Sequence, residues 1–239
     1  MSESRPTLVL AALAGEFECA RRALGLAPAT QSAPKSTHDE AGRWRLVQTG
    51  IGPARAAKAC QWAIEESQPA RVLVVGFAGG LDPNLKTGDV MQAEAALNVA
   101  TGTRCAATPY DELGVPRGLI ATVAAPVTDA AGKRTLFEST GAAAVDMESA
   151  PVAKIAADRG IPFAAIRAIT DAHDEALDPR VASWIDEHGD VKFARTALDL
   201  ATRPTMWKTA ARLANASKLA TANLTAALER LRRADEERR

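Results

Sequence analysis

A strand, a glycine-containing turn and a helix follow one another repeatedly along the first third of the chain, and this order constrains the fold most. Residues 7–14 form an apolar run that leads into a helix. Residues 43–49 lead into a Gly-Ile-Gly turn and a second helix that begins at Pro53. Residues 71–76 contain four consecutive apolar side chains, as in a strand covered on both faces. The pattern predicts a parallel central sheet.

The predicted fold class is α/β: a single-domain, three-layer structure in which helices flank a central mixed, mostly parallel sheet. Further strands are expected at residues 89–99 and 119–123. Residues 101–117 are polar and contain two prolines, so we expect a long loop of the kind that often acts as a lid. A chain of 239 residues is long enough to bury the core of one such domain.

The C-terminal region is predicted to be a helical extension. The pattern is helical from Pro179 onward, and apolar residues recur at near-helical spacing over residues 207–232. Such a stripe is usually a core face or an oligomer contact, and the alternative is contact with a lipid-like substrate or a membrane surface. We expect one domain over residues 7–239, with its core over 7–175 and the extension over 180–233.

Composition argues against several classes of partner. Twenty-nine basic residues balance 29 acidic ones, so the chain lacks the basic excess that a nucleic acid partner usually requires. Cys19, Cys60 and Cys105 are scattered, as expected of small apolar residues in a reducing compartment. The first residues carry no apolar signal region, and no apolar run approaches the roughly 20 residues that cross a bilayer. We therefore expect a cytoplasmic protein.

Carboxylates stand at the ends of several predicted strands. Glu16 follows the first strand, and Glu148 and Asp171 follow two strands that are joined by a helix over residues 151–159. Functional groups gather at the carboxyl ends of parallel strands, which predicts that these acids and Gly79 line one crevice. The alternative for Glu16 is a surface carboxylate that stabilises a helix N-terminus by about 0.3–1 kcal/mol.

A glycine-rich turn follows the strand at residues 71–76. Its three glycines let backbone amides approach a ligand without an intervening Cβ, although a tight turn would need the same glycines. Its position in series with the strand-end acids favours ligand contact. Substrate contacts are expected at Phe77, Ala78 and Gly79.

Three ordered segments resemble the nucleoside phosphorylase/nucleosidase superfamily, most closely its methylthioadenosine/S-adenosylhomocysteine nucleosidase branch. They are residues 76–90, the sequence Val145-Asp146-Met147-Glu148, and the sequence Arg167-Ala168-Ile169-Thr170-Asp171. The resemblance covers roughly residues 7–175. With Ser149 and a helical tail that contains Arg203-Pro204, the overall pattern is similar to hopanoid-associated phosphorylases.

The resemblance implies a role for each residue that matches a motif position. Met147 and Glu148 would hold the ribose, Asp171 would help to protonate purine N7, and Glu16 would position the attacking water. Such roles suit the chemistry, because breaking an N-glycosidic bond builds positive charge on the sugar and negative charge on the leaving base. To donate a proton near neutral pH, Asp171 needs a raised pKa or a shared proton.

The nucleophile that attacks the sugar is either water or phosphate. Phosphorylases of this superfamily bind phosphate with arginines after the first strand and before the glycine-rich turn, and with a hydroxyl in that turn. Here those positions carry Gly15-Glu16, Val74-Val75 and Phe77. A carboxylate repels phosphate but can orient water, so hydrolysis is favoured and phosphorolysis is the alternative. Phosphate contacts by another route would come from Arg21, Arg22 or Arg43.

The chain departs from the nucleosidase pattern where the base would stack. Residues 123–127 lack the phenylalanine that relatives use, and Phe77, Tyr110 and Phe163 are either its replacements or packing residues. The long loop and the helical tail would suit a bulky 5′-substituent, such as the hopane of adenosylhopane. His173 is either an orienting group or a loop residue.

The remaining expectations concern cofactors and assembly. No His, Cys or Asp cluster has metal-ligand spacing, so neither a metal nor another cofactor is expected. Relatives complete their pockets with residues of a neighbouring subunit, which implies a homo-oligomer, and a dimer is the commonest closed assembly. A non-catalytic nucleoside-binding or sensor protein is the alternative from another class.

Overall fold

The computed structural model describes residues 5–30, 34–178, 202 and 205–238. The predicted helical pattern over residues 180–201, and Arg203-Pro204, lie outside these residues, so the bounds of the core and of the extension stay predictions. The described strands are β1 (Thr7–Ala11), β2 (Ser36–His38), β3 (Trp44–Gln48), β4 (Arg71–Gly80), β5 (Val90–Asn98), β6 (Arg104–Ala106), β7 (Arg117–Thr122), β8 (Ala144–Asp146) and β9 (Phe163–Asp171). The helices are α1 (Ala14–Ala23), α2 (Pro53–Ser67), α3 (Ala130–Thr140), α4 (Ser149–Asp158) and α5 (Thr205–Glu237).

The strands form one mixed sheet in the order β2-β3-β1-β4-β8-β7-β5-β6, and β9 pairs with both β4 and β5. β1 runs parallel to β3 and β4, β9 runs parallel to β4, and β7 runs parallel to β5 and β8. Because β8 pairs with β4 and β9 also pairs with β5, five strands form a closed ring. The predicted mixed sheet, with parallel pairs in the majority, is confirmed.

Alternation along the buried strands separates the helices into two layers. Leu8 and Leu10 of β1 face the layer of α2 and α4, whereas Val9 and Ala11 face the layer of α1 and α5. The side chains of β4 and β9 alternate in the same way, so both faces of the sheet are apolar and buried. This arrangement is the predicted three-layer structure.

The apolar stripe of α5 is a core face. Ala220, Leu224, Ala227, Leu228 and Leu231 are buried in the layer that also contains α1. The interpretation of this stripe as packing is therefore confirmed for this part of the helix. In the portion of the chain that the structure describes, no helix combines the length and apolar character needed to span a bilayer.

The prediction of a plain loop over residues 101–117 is wrong. The segment contains β6, which pairs with β5, and a 3-10 turn at Asp111–Leu113. The side-chain amide of Gln92 fastens the segment to the sheet, because it donates to the carbonyl of Tyr110 and accepts from its N–H. These buried hydrogen bonds hold the segment as part of the core.

Candidate active site

Glu16 links the end of β1 to the glycine-rich end of β4. One carboxylate oxygen accepts hydrogen bonds from the backbone N–H groups of Ala12 (3.0 Å) and Leu13 (2.8 Å), and the other accepts one from Phe77 N–H (2.7 Å). The carboxylate therefore caps α1, as the alternative interpretation expected, but it is buried rather than on the surface. Burial raises the pKa of Glu16, although Arg167 and the three N–H donors oppose the shift.

Gly76 leaves room for two buried charged side chains. A Cβ at this position would lie 2.4 Å from Glu16 Oε1 and 2.7 Å from Arg167 Nη1. Gly76 pairs with Arg167 across β4 and β9, so the glycine in one strand accommodates the arginine of the next. This glycine is needed for the close approach of protein groups, whereas the sequence suggested approach of a ligand.

Arg167 is the centre of an acidic cluster. Its side chain is fully buried, and Nη2 donates to Asp146 Oδ2 and, at 3.2 Å, to Ser149 Oγ. Glu148 Oε2 lies 3.7 Å from the same nitrogen. The Nε of Arg167 has no hydrogen-bond partner among the described residues. Three buried carboxylates, counting Glu16, therefore surround one guanidinium.

Asp146 is held rigidly within this cluster. The hydroxyl of Thr122 donates to its Oδ1 at 2.6 Å, and the backbone N–H of Ser149 lies 3.2 Å from its Oδ2. The same hydroxyl accepts from Ala150 N–H at 2.9 Å. Because the donors come from β7 and from the start of α4, the network joins β7, α4 and β9.

Glu148 reaches the cluster from an unexpected direction. Glu148 follows the carboxyl end of β8, which is parallel to β7, but the prediction that β8 and β9 form a parallel crossover is wrong, because β8 runs antiparallel to β4, to which β9 is parallel. The chain leaves β8 towards Arg167, and Glu148 Oε1 accepts a hydrogen bond from Gly52 N–H at 2.9 Å. Burial, with Asp146 and Glu16 nearby, raises the pKa of Glu148 to about 7, although Arg167 and Gly52 N–H oppose the shift.

Asp171 lies in a second polar cluster at the end of β9. Its Oδ2 is 2.5 Å from Lys133 Nζ, and its Oδ1 accepts a hydrogen bond from the Thr170 hydroxyl at 2.8 Å. Gly79 permits this packing, since a Cβ there would be 3.1 Å from Asp171 Oδ2. Burial raises the pKa of Asp171, whereas Lys133 and Thr170 lower it.

The structure brings together most, but not all, of the predicted groups. Glu16, Glu148 and Phe77 N–H share the Arg167 cluster. Asp171 lies four residues further along β9, beyond the point at which the register between β4 and β9 shifts. The two clusters therefore lie along the same strand.

The remaining predicted ligand contacts are less direct. Ala78 is buried and Gly79 is half-buried on β4, and Met147 is half-buried between Asp146 and Glu148. The Phe77 ring packs against the layer of α1 and α5. Tyr110 and Phe163 are buried in the two apolar clusters, which favours the packing interpretation of all three aromatics. The His173 side chain is 38% exposed beside Asp174.

Sequence reasoning missed the two cations of the site. Arg167 belongs to the third motif, and a lone arginine in an apolar strand is a signal of a buried charge with an acidic partner. Lys133 gave no signal, because a lysine on a short polar helix resembles a solvated residue. Within the described ranges, no group of three His, Cys, Asp or Glu side chains is placed to hold a metal ion.

The three-layer fold and its buried acids define an α/β enzyme with a polar site beside β9. The pattern of the phosphorylase superfamily matches residues 35–116 and 111–203, which together span more than half of the chain. The chain therefore belongs to the phosphorylase superfamily, as its motifs predicted, and is an enzyme of that class.

Solved structures of nucleosidases and a related hydrolase share the fold. The 5′-methylthioadenosine/S-adenosylhomocysteine nucleosidase of Neisseria meningitidis, in complex with methylthio-immucillin-A, is 22% identical with a TM-score of 0.70, over 95% of this chain and 99% of that one. Arabidopsis thaliana 5′-methylthioadenosine nucleosidase, in apo form, is 18% identical with a TM-score of 0.70, over 94% and 93%. Helicobacter pylori futalosine hydrolase is 17% identical with a TM-score of 0.69, over 96% and 99%. The predicted fold class is confirmed.

Proposed function

We propose that this enzyme cleaves the N-glycosidic bond of a purine nucleoside by attack of water. The observation that carries the proposal is the pair of polar clusters along β9, one with Glu16 and Glu148 around Arg167 and the other around Asp171. A nucleoside needs help at two places, because its sugar gains positive charge while its base gains negative charge. In this proposal Glu148 and Met147 hold the ribose, and Asp171 protonates the base.

Electrostatics favour water over phosphate as the nucleophile. Glu16, Asp146 and Glu148 surround Arg167, so the cluster carries more carboxylates than cations. A phosphate dianion would be repelled there, whereas a carboxylate such as Glu16 can orient a water molecule and accept its proton. The pKa of Glu148, raised to about 7, suits a group that exchanges protons near neutral pH, and burial raises the pKa of Glu16 as well.

Adenine release with and without phosphate tests the hydrolytic reaction. Purified enzyme is incubated with methylthioadenosine in phosphate-free buffer and then with added phosphate, and free adenine and the ribosyl product are quantified by chromatography. We expect the same rate in both buffers and a free sugar as product. Strict dependence on phosphate, with a sugar 1-phosphate as product, would instead establish phosphorolysis. Tight binding without turnover would support the nucleoside-sensor alternative.

The substrate class proposed here is a 5′-modified adenosine. The support is that two structurally similar proteins are named for methylthioadenosine. Adenosylhopane, in hopanoid biosynthesis, remains our proposal for a bulky 5′-substituent, on the motif resemblance alone. A panel of adenosine, methylthioadenosine, S-adenosylhomocysteine and adenosylhopane in detergent separates the choices. Ready cleavage of methylthioadenosine without cleavage of adenosylhopane would remove the hopanoid proposal.

Two finer proposals concern assembly and location. We propose a homodimer, because the motif resemblance implies a pocket that a neighbouring subunit completes, and light scattering at several concentrations measures the mass directly. We also propose a reducing, cytoplasmic location. Its support is that Cys19 and Cys60 are free thiols buried among apolar residues, as in a protein that does not form disulfides.

A further inference from the structure

A fully buried lysine contacts the proposed acid. Lys133 belongs to α3, and its exposed fraction is 0%. A lysine is almost never fully buried unless it is paired, because moving an ammonium group out of water is costly. Its Nζ lies 2.5 Å from Asp171 Oδ2 and is also within hydrogen-bond distance of the carbonyl oxygens of Ala172 (2.7 Å) and Glu175 (2.9 Å).

The contacts of Lys133 fasten both the acid and the turn that follows it. The ammonium group joins the Asp171 side chain to the backbone of residues 172–175, immediately beyond the end of β9. The Thr170 hydroxyl donates to the other oxygen of the same carboxylate, so a donor fixes each oxygen. The orientation of the carboxyl plane is thereby set from two sides, by α3 and by β9.

We propose that Lys133 is a positioning residue of the active site, whose ammonium group holds the Asp171 carboxyl and its turn in the orientation that delivers a proton to the leaving base. The inference rests on the proposed function, in which Asp171 is the acid. It also gives the lysine an electrostatic part in that step. Once the proton has moved to the base, Asp171 is left as a buried carboxylate, and the adjacent ammonium stabilises it.

The charged groups around Asp171 determine the sign of a pH effect. Burial raises the pKa of Asp171, Lys133 lowers it, and Glu175 raises it. Glu175 is itself held by the Thr87 hydroxyl and by Ala172 N–H, each at 3.0 Å. Removing the Lys133 charge should therefore raise the pKa of Asp171. If protonated Asp171 is the active form, the fall in activity at alkaline pH should then move to higher pH.

The first test compares Lys133→Met with Arg134→Met, which removes an exposed cation from the next position of the same helix. Adenine release from methylthioadenosine is measured as a function of substrate concentration and pH. For Lys133→Met we expect kcat to fall roughly 10–100-fold, as misplacement of a reacting group can cause. KM should change little, and the alkaline limb should move upward. Arg134→Met should match the wild type. Unchanged kcat and an unchanged pH profile in Lys133→Met would overturn the proposal.

The second test separates a positioning role from a merely structural one. Lys133→Ala removes the equivalent of propylammonium, so its activity is measured with added propylammonium and, as a neutral control, with 1-propanol. Recovery of kcat with the cation alone supports the proposal, and equal recovery with both compounds contradicts it. Circular dichroism confirms folding at each condition, and a Lys133→Ala variant that folds fully but stays inactive with propylammonium also counts against the proposal.

The Asp171→Asn variant distinguishes the two levels of inference. If Asp171→Asn retains turnover, Asp171 is not the acid and the proposed function fails at that step. If Asp171→Asn loses turnover while both Lys133 variants keep it, only the role of Lys133 is overturned. When both inferences hold, adding Lys133→Met to Asp171→Asn should lower kcat little further, because the two residues act as one unit.

Discussion

At the scale of single residues, the site is a set of buried carboxyl groups with different partners. Glu16 accepts from three backbone N–H groups, Glu148 from one, and Asp146 from a hydroxyl and a guanidinium. Asp171 is paired with an ammonium group. Burial raises the pKa of Glu16, Glu148 and Asp171, and these partners oppose it. Differences between the partners can therefore give neighbouring acids different roles.

The raised pKa of Glu148 predicts a pH-dependent stability difference from Glu148→Gln. Between its ordinary value of about 4.5 and about 7, the folded state holds a proton that the unfolded state has released, so stability falls as pH rises. At 1.36 kcal/mol per pKa unit, wild type should lose about 3 kcal/mol relative to Glu148→Gln between about pH 4.5 and pH 8. Urea unfolding of both proteins across this range measures the difference. A constant difference would mean that Glu148 titrates normally.

Asp171→Asn should retain nucleoside binding and lose turnover. The amide cannot donate an acidic proton, and loss of general acid catalysis typically costs about 10²–10⁴-fold in rate. Single-turnover adenine release gives the chemical rate, and calorimetry with a non-hydrolysable nucleoside analogue gives the affinity. Wild-type rates in this variant would show that the proton comes from elsewhere.

Three acids of the site, Glu16, Glu148 and Asp171, could be predicted from sequence because each follows a recognisable strand or turn, whereas Asp146 was not predicted as a site residue. Glu16 and Asp171 lie at the ends of the parallel strands β1 and β9, where the rule for such sheets places functional groups. Lys133 could not be predicted, because its burial depends on the turn after β9, whose contacting residues lie 39 and 42 residues away along the chain. Sequence patterns report which side chains are apolar, and they do not report which charged side chains find partners.

At the scale of elements, β4 and β9 build the site together. Their register places Gly76 beside Arg167, and it shifts between Ala78 and Gly79 before Asp171. The absence of a side chain at Gly76 is what allows Glu16 to reach across from α1. The direction of β8 could not be predicted, because a three-residue strand carries no periodicity from which its pairing can be deduced.

Gly76→Ala should disrupt the Arg167 cluster. The new methyl group would lie within 2.7 Å of Glu16 and Arg167, both of which are buried and hydrogen-bonded. We expect a loss of about 1–3 kcal/mol in the free energy of unfolding, and a fall in adenine release. Gly15→Ala is the matched control, because this helical position beside Glu16 is open within 4 Å. Alanine there should be neutral or stabilising by up to about 1 kcal/mol. Equal effects of the two substitutions would exclude this packing explanation.

At the scale of the whole molecule, α5 packs against α1, which lies far from it along the chain. The helix covers the layer that contains α1, and Arg232 Nε donates to the carbonyl of Ala23 at 3.2 Å. Its stripe was predictable from 3.6-residue spacing. The closed ring of five strands was not, because it depends on the two pairings of β9, and pairing partners are set by tertiary packing.

Leu224→Ala should destabilise the entire domain. Leu224 is fully buried in the α1–α5 layer, and truncation of such a leucine costs about 2–5 kcal/mol. Leu219→Ala is the control, because Leu219 lies on the same helix and is 47% exposed. This substitution should lower the free energy of unfolding much less than Leu224→Ala does. Urea unfolding followed by tryptophan fluorescence and by circular dichroism should give one coincident transition. Separate transitions would mean that α5 melts independently.

The outermost strands of the sheet path limit how copies of this chain can associate. β2 and β6 stand at the two ends of the path and have three residues each. Short border strands expose few unpaired backbone N–H and C=O groups, which makes them poor templates for strand addition and aggregation. A dimer of this enzyme would therefore be expected to join through side-chain surfaces rather than by extending the sheet from one copy into the next.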